Sequence, residues 1–273
     1  MWTNVDVKNE ILRRVVYSEY PVTLKGLETF LRMEFGYDRK IIRDTIRKLV
    51  NLGDLEYSIV NGSSCLETSF CRPVRISSHV IVKPEEMGFD GAMSEVVIGM
   101  SKGVSFGSGR HPTTSLCIRA IDFTMSSNHH LQGGVGLDIG TGSGILSLVA
   151  VKMGLSRIEA IDIDESARCE AKRNAKINGL SSLINVSDVP LEKIDGKFHI
   201  VIANLRFPTL ITMRPKMTDV ALPGAFYIFS GFREEEASKL YAHYFAYGIE
   251  LVESFSERAW CSCILKKIDS IPI

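Results

Sequence analysis

Apolar residues in the first 72 positions recur at the three- and four-residue spacing of amphipathic helices. The pattern predicts three short helices, with Thr23 as the N-cap of the second and Asp38 opening the third. Two strand-like segments follow, joined by Asn61-Gly62, a dipeptide typical of tight β-hairpins. Three helices and a hairpin in this order resemble a winged helix.

From residue 73 onward short, almost wholly apolar segments alternate with longer amphipathic ones, which is typical of parallel βαβ units. The sequence therefore predicts an α/β protein in which a Rossmann-like, mostly parallel, doubly wound sheet follows a small winged-helix domain. We expect a winged-helix-like domain at 1–72, a connector at 73–103 that lies over the main domain, and the α/β domain at 104–273.

Composition argues against several classes of protein. The 273 residues carry 32 Lys+Arg and 32 Asp+Glu, so no overall charge attracts nucleic acid. We expect a cytoplasmic protein without membrane association, because the chain has no long uncharged apolar run and its first residues are charged where a signal peptide is apolar. The six cysteines are too sparse for a disulfide framework, and no metal-ligand pattern is complete, so we expect mostly buried thiols and no metal.

A glycine-rich turn lies between a predicted buried strand and a predicted helix. Gly140, Gly142 and Gly144 form this turn, where missing side chains let a ligand approach the backbone and the helix N-terminus. Asp162 ends the next strand, 22 residues after Gly140, where a carboxylate can hold both ribose hydroxyls of a nucleoside cofactor. Asp164 is the alternative if the register is shifted by two residues. A tight turn with incidental glycines is the plain structural interpretation.

The residues around this turn favour one cofactor over another. Dinucleotide sites carry GxGxxG, whereas this chain has GxGxG with Asp138 two residues before the first glycine. That carboxylate is placed to organise the turn and to meet the amino end of a methionine moiety, so S-adenosylmethionine fits better than NAD. Asp188, after a further predicted strand, lies where this fold usually places an adenine contact.

Several segments of the second half resemble one family. They are "VSFGSGRHPTTSLCIRAI", "GLDIGTGSGILSLVAVKMG", "AIDIDESARCEAKRNAKINGL", "VIANL" and "IFSGF". In this order and spacing they are similar to the PrmA family, the methyltransferases of large-subunit ribosomal protein eleven. The resemblance runs from about residue 95 to 267 and implies a class I methyltransferase that uses S-adenosylmethionine. Residues 1–72 do not resemble that family's ferredoxin-like, substrate-recruiting domain. Further departures are Ser108 for threonine, Thr141 for cysteine, and Arg206-Phe207 after "ANL".

The resemblance implies that the segment 106–114 covers the cofactor. Phe106 would bound the methyl pocket and face the sulfonium, since aromatic rings favour cations. The other cofactor-facing residues of the segment would be Ser108, Gly109, Thr113 and Thr114. Thr113 is equally placed to be the N-cap of the next helix. His111 is the candidate base, but we favour a structural role that holds the segment beside Pro112, because positioned amines often need no dedicated base.

Asn204 ends the predicted strand in "VIANL" and is the leading catalytic candidate, with Phe106 and His111 beside it. Methyl transfer is an in-line displacement, so the protein mainly orients the reactants and excludes water. The amide oxygen of Asn204 is suited to accept an N–H bond from an amine and so aim its lone pair. The alternative is an ordinary turn residue at a strand end.

Three functions remain open from the sequence. The first, which we favour, is a protein N-methyltransferase that acts on a lysine or an N-terminal amine of a ribosomal or translation-related protein recruited by the winged helix. The second is a DNA or RNA methyltransferase targeted by the basic third helix, although "ANLRFP" lacks the Pro-Pro-aromatic motif usual in base-amine methylases. The third is a non-catalytic sensor of S-adenosylmethionine. The basic residues of the third helix are Arg39, Lys40, Arg43, Arg47 and Lys48.

Overall fold

A computed structural model describes residues 4–18, 21–60, 63–101 and 111–268 of the chain. The chain divides into two compact units, Met1–Pro73 and Val74–Ile273. Within the described ranges, no helix is long and apolar enough to cross a membrane, and no group of three or more His, Cys, Asp or Glu side chains could hold a metal ion.

The first unit contains three helices and a three-stranded antiparallel sheet of order β1-β3-β2. Its elements are α1 (Asn4–Tyr17), β1 (Val22–Thr23), α2 (Leu24–Phe35), α3 (Arg39–Asn51), β2 (Leu55–Val60) and β3 (Ser63–Thr68). Fully buried side chains from all three helices, among them Ile11, Leu31 and Ile46, form its core.

Local signals in the sequence place the helix starts of this unit. Thr23 accepts a hydrogen bond from the Gly26 N–H at 3.1 Å, and Asp38 accepts from the first turn of α3, so both predicted caps are confirmed. The strands β2 and β3 pair as predicted, with Val60 opposite Ser63. Asn61-Gly62, the predicted turn, lies outside the described residues.

The second unit is built on a seven-stranded sheet of order β12-β13-β11-β10-β7-β8-β9. Its helices are α4 (Pro112–Ser127), α5 (Ile145–Lys152), α6 (Glu165–Ile177), α7 (Phe207–Val220) and α8 (Ala237–Phe245). The strands of the large sheet are β7 (Val135–Ile139), β8 (Arg157–Ile161), β9 (Ile184–Ser187), β10 (Phe198–Asn204), β11 (Ala221–Arg233), β12 (Ile249–Glu257) and β13 (Trp260–Lys267).

Strand direction in this sheet fixes where a ligand can bind. The five strands from β9 to β11 are parallel, whereas β13 runs antiparallel to both of its neighbours. The chain order reverses at β7, which pairs with β8 on one side and β10 on the other. Open α/β sheets bind ligands outside the carboxyl ends of the strands at such a reversal. The ends of β7, β8 and β10 therefore mark the candidate site.

The first residues of the second unit form a separate three-stranded sheet. Its strands are β4 (Val74–Arg75), β5 (Val80–Pro84) and β6 (Val96–Met100), with β5 and β6 parallel. These three strands lie in the segment 73–103, for which the sequence predicts only a connector. Gly99 brings β6 close to α6, since a Cβ there would lie 3.2 Å from Ile177 Cγ2.

The cysteines are mostly buried thiols, as predicted. Cys65, Cys117, Cys261 and Cys263 are buried, whereas Cys71 and Cys169 are exposed. Burial raises the pKa of the Cys117 and Cys263 thiols well above the usual value, so these two groups stay protonated and unreactive.

Candidate functional site

The glycine turn between β7 and α5 uses its three glycines for different reasons. Gly140, Gly142 and Gly144 all have positive φ angles, of 71°, 55° and 81°. A Cβ on Gly140 would come within 2.8 Å of Leu205 Cδ2, and one on Gly144 within 3.1 Å of Ala171 Cβ. A Cβ on Gly142 would meet nothing within 4 Å. The outer two glycines therefore serve packing, and Gly142 leaves space on the open side of the turn.

Asp138, in β7, is a fully buried carboxylate beside this turn. Its Oδ2 accepts hydrogen bonds from Thr141 Oγ1 at 2.7 Å and Ser147 Oγ at 2.6 Å, whereas its Oδ1 has no hydrogen-bond partner among the residues that the structure describes. Burial raises the pKa of Asp138 to about 6, and the charge of Asp162 acts in the same direction against the two hydroxyl bonds. A buried carboxylate oxygen without a donor is costly, so this atom is suited to a cationic or hydrogen-bonding ligand.

Asp162 follows β8 directly and joins it to the glycine turn. Its Oδ2 accepts from the Gly142 N–H at 2.8 Å, and its Oδ1 accepts from the Asp164 N–H at 3.0 Å. Asp164 is the N-cap of α6 and accepts from the Ser166 N–H at 2.8 Å. The helix cap accounts for the Asp164 carboxylate, whereas Asp162 lies against the open glycine.

Two residues near Asp162 extend this edge of the site. Ile163, which the sequence analysis does not single out, is 95% exposed. A large apolar residue between the acids Asp162 and Asp164 at a strand end is the sequence signal that would identify it. The Asp162 N–H donates to Ser187 O at 3.2 Å, which puts the end of β9 beside the carboxylate. Asp188 is the next residue and is exposed.

The helix α4 begins earlier than Thr113, so the alternative in which Thr113 is its N-cap is wrong. Pro112 is the first helical residue and His111 is the N-cap. Proline favours this position because its φ suits a helix and its missing N–H would have no partner there. The Thr113 N–H points to His111 Nδ1 at 3.4 Å, and Thr113 Oγ1 lies 2.8 Å from the same nitrogen.

Asn204 and Thr114, both predicted site residues, lie together in the structure. Asn204 is the last residue of β10, and its Nδ2 donates to Thr114 Oγ1 at 3.5 Å across 90 residues of sequence. Thr114 is buried in the first turn of α4. With the amide nitrogen directed at Thr114, the amide oxygen of Asn204 is the acceptor that remains for another group.

Trp260, which the sequence analysis does not single out, contacts His111. The two rings meet edge to face, with centroids 5.8 Å apart. The guanidinium of Arg233 covers the Trp260 ring at 3.8 Å from its centroid. His111 is therefore held by a ring contact as well as by its contacts with Thr113. Phe106, Ser108 and Gly109, also predicted for the site, lie outside the described residues.

The basic face predicted for α3 divides into paired and unpaired cations. Glu28, on α2, is only 5% exposed and forms ion pairs with Arg39 at 3.0 Å and with Arg43. Burial alone would raise the pKa of Glu28, but the hydrogen bonds from Arg43 and Arg39 outweigh it and hold that pKa below its ordinary value. These two arginines therefore stabilise the packing of α2 on α3.

The other three cations of α3 are exposed. Arg47 lies 3.8 Å from Asp44, a weak contact between solvent-exposed groups. Lys40 and Lys48 have no ion pair within the part of the chain that the structure describes. A partner could therefore pair with Lys40, Arg47 and Lys48 without breaking the ion pairs of Glu28.

The second unit has the class I methyltransferase fold. This fold is recognised by five adjacent parallel strands with the antiparallel β13 beyond them, a glycine turn after β7 and an acid, Asp162, after β8. The family model for "Ribosomal protein L11 methyltransferase (PrmA)" matches residues 67–268. The chain belongs to the PrmA family.

Individual relatives agree with that assignment. The chain is 32% identical over 208 residues to the ribosomal protein L11 methyltransferase of Geotalea uraniireducens, a match that covers 74% of this chain and 66% of the relative. It is 36% identical over 193 residues to the enzyme of that name from Geobacter metallireducens, covering 71% and 62%. The crystal structure of a ribosomal protein L11 methylase from Lactobacillus delbrueckii subsp. bulgaricus matches with a TM-score of 0.65 and 25% identity, over 72% of this chain and 99% of that one. The chain spans less than two thirds of the length of these two curated relatives.

Proposed function

We propose that this protein transfers a methyl group from S-adenosylmethionine to an amine of a protein, either a lysine side chain or an N-terminus. The observation that carries the proposal is the buried Asp138 carboxylate beside the glycine turn, whose Oδ1 has no hydrogen-bond partner among the described residues. The methionine end of the cofactor carries an ammonium group, the kind of donor that this oxygen lacks. The names of the relatives point to ribosomal protein L11 as the acceptor.

The residues present fit the rest of the cofactor. Each carboxylate oxygen of Asp162 has two lone pairs, so accepting one backbone N–H apiece leaves both able to accept from ribose hydroxyls. Ile163 offers an exposed apolar face for an adenine ring, and Asp188 lies at the neighbouring strand end. We also assign Phe106, Ser108, Gly109, Thr113 and Thr114 to the cofactor from the family resemblance.

Bound cofactor supplies an electrophilic methyl group on a sulfonium, and the chain's own residues orient the acceptor. Asn204 would accept an N–H of the incoming amine through its amide oxygen, while Thr114 fixes the amide plane from the other side. This aims the amine lone pair at the methyl carbon, and orientation of this kind is the main requirement of an in-line transfer. His111 holds the start of α4 rather than serving as base, because its Nδ1 faces Thr113 and its ring packs on Trp260.

We further propose that residues 1–72 form a winged helix that recruits the acceptor protein. The order helix, strand, helix, helix, strand, strand with a three-stranded sheet supports this assignment. Residues 1–66 lie outside the family match, so recruitment need not follow the pattern of the relatives. The segment 73–103 would join this domain to the methyltransferase domain at 104–273. The recruiting surface would centre on Lys40, Arg47 and Lys48.

A competition for labelled methyl groups tests this function. The full chain is incubated with methyl-labelled S-adenosylmethionine, purified ribosomal protein L11 and ribosomal RNA in one reaction, and protein and RNA are then separated and counted. We expect label in the protein fraction. Label in RNA alone would establish the nucleic-acid alternative, and cofactor binding without transfer to either acceptor would favour the sensor. The same reaction with the chain lacking residues 1–72 should lose transfer to L11 while cofactor binding persists.

A further inference from the structure

One face of α6 contacts both the glycine turn and the strand β6. Ala171, Asn174 and Asn178 recur on this face at three- and four-residue spacing. Ala171 packs on Gly144, and Asn178 bonds to both the N–H and the carbonyl of Gly99 in β6, at 2.9 and 2.7 Å. The strand is therefore already held to the helix one turn beyond Asn174.

Asn174 makes a connection that Asn178 does not. It is fully buried, and its Nδ2 donates to the carbonyl oxygen of Ser143, between Gly142 and Gly144, at 2.9 Å. Its Oδ1 accepts from both the N–H and the Oγ of Ser101, each at 2.9 Å. One amide thus joins the glycine turn to the residue that ends the β6 segment.

The position of Ser101 gives this connection its significance. Ser101 immediately precedes the segment 102–110, which contains Phe106, Ser108 and Gly109. The buried amide of Asn174 therefore holds the glycine turn together with the residue that comes just before this segment in the sequence. Asparagine suits this task because a neutral amide both donates and accepts, and each of its partners would otherwise be a buried polar group without a bond.

We propose that Asn174 is a positioning residue for the glycine turn, which it holds through the Ser143 carbonyl and couples to Ser101. The inference rests on the proposed cofactor site. It predicts that a change at Ser101, which is not assigned to the cofactor, alters the backbone at Ser143 and weakens cofactor binding.

Three variants separate this coupling from ordinary packing. Asn174→Asp keeps the acceptor for Ser101 but replaces the donor to Ser143 with an oxygen that repels the carbonyl. Ser101→Ala removes only the hydroxyl bond to Asn174. Asn178→Ala is the matched control, because it removes the bonds to Gly99, and one to the Asn174 carbonyl, without touching the glycine turn.

For each variant we would measure affinity for S-adenosylhomocysteine by calorimetry, Tm, and amide hydrogen exchange of the ligand-free protein at Ser101 and at 142–145. We expect Asn174→Asp to bind about tenfold more weakly, the effect of losing one buried hydrogen bond, and to exchange faster at both places. Ser101→Ala should also speed exchange at 142–145. Asn178→Ala should lower Tm while leaving both the affinity and the exchange of the turn close to wild type.

Two results would overturn the coupling. One is an Asn178→Ala variant that loses as much affinity as Asn174→Asp for the same loss of Tm, since packing alone would then suffice. The other is a Ser101→Ala variant whose exchange at 142–145 is unchanged, a test that remains decisive if Asn174→Asp does not fold. Failure of the wild-type protein to bind S-adenosylhomocysteine would instead refute the proposed function, and ligand-free exchange would still decide the coupling.

Discussion

The buried carboxylate of Asp138 makes cofactor affinity depend on pH. In the ligand-free protein, burial raises the pKa of Asp138 to about 6, so the group is largely protonated at pH 5 and ionised at pH 7. A cationic ammonium near Oδ1 requires the ionised form. Binding at pH 5 must therefore release a proton, and affinity should fall as the pH drops below about 6.

The size of this effect follows from the pKa. Well below pH 6 each further pH unit costs about 1.4 kcal/mol, or a factor of about ten in affinity, whereas between pH 7 and 7.5 the affinity should be nearly constant. The ligand's own amino group stays charged over this range, because an amine beside a free carboxylate is more basic than a peptide N-terminus, whose pKa is about 8. Asp138→Asn should bind more weakly at pH 7 and lose the dependence on pH.

Calorimetric titration with S-adenosylhomocysteine between pH 5 and 7.5, in pairs of buffers with different ionisation enthalpies, measures both the affinity and the protons released. An affinity that is flat across pH 6 in the wild-type protein, or a slope that survives in Asp138→Asn, would refute the reasoning.

The raised pKa of Asp138 also affects protein stability, which should fall as the pH rises, whereas the cofactor affinity should increase. A carboxyl group whose pKa is higher in the folded state than in the unfolded chain binds more protons when folded, so the free energy of unfolding falls as the pH rises from about 4 to 6. Asp138→Asn should remove this loss and raise the Tm of the ligand-free protein at pH 7 relative to wild type. Thermal melts at pH 4.5 and pH 7 would show whether the two proteins converge at the lower pH, as this requires.

Three further predictions concern separate parts of the molecule. Asp162→Ala should weaken S-adenosylhomocysteine binding by more than about tenfold, the effect of losing a charged hydrogen-bonding group, whereas Asp164→Ala should change mainly the stability of α6; equal losses of affinity would move the ribose site. Asn204→Ala should lower kcat about a hundredfold with little change in cofactor affinity, and a parallel loss of affinity would instead place Asn204 in the cofactor site. Lys48→Glu should raise the KM for the acceptor protein without changing Tm. Arg43→Glu should lower Tm instead, because it leaves the buried Glu28 beside a second negative charge. A loss of Tm in both variants would contradict the distinction between ion-paired and exposed cations on α3.

Signals that are local in the sequence predicted the structure well. Thr23 and Asp38 cap helices through bonds to residues two or three positions away, so the sequence contains both partners. The placement of Asp162 near the glycine turn could also be predicted from the sequence, because a turn and a helix of ordinary length fix the spacing between the ends of two neighbouring strands. Thr113 is not the N-cap of α4, because proline favours the first helical position and Pro112 occupies it, which leaves His111 as the cap.

Contacts between distant segments were not predictable in this way. Asn174 and Ser101 are 73 positions apart, and nothing in the periodicity of α6 distinguishes a buried asparagine from an exposed one until β6 is placed beside it. The pairing of Arg43 with Glu28 similarly depends on the packing of α2 on α3. The helix α3 therefore has fewer cations available to a partner than its basic sequence indicates. Side-chain partners across elements need the packed structure.

Intact-mass and peptide mass spectrometry of ribosomal protein L11, after incubation with the 273-residue chain and S-adenosylmethionine, tests the proposed methyl transfer most directly. We predict methyl groups on lysine or N-terminal amines of L11, and their loss with Asn204→Ala at cofactor concentrations that saturate both the wild-type chain and the variant. Unmodified L11 with a wild-type protein that binds the cofactor, or methylation that persists undiminished in Asn204→Ala, would contradict it.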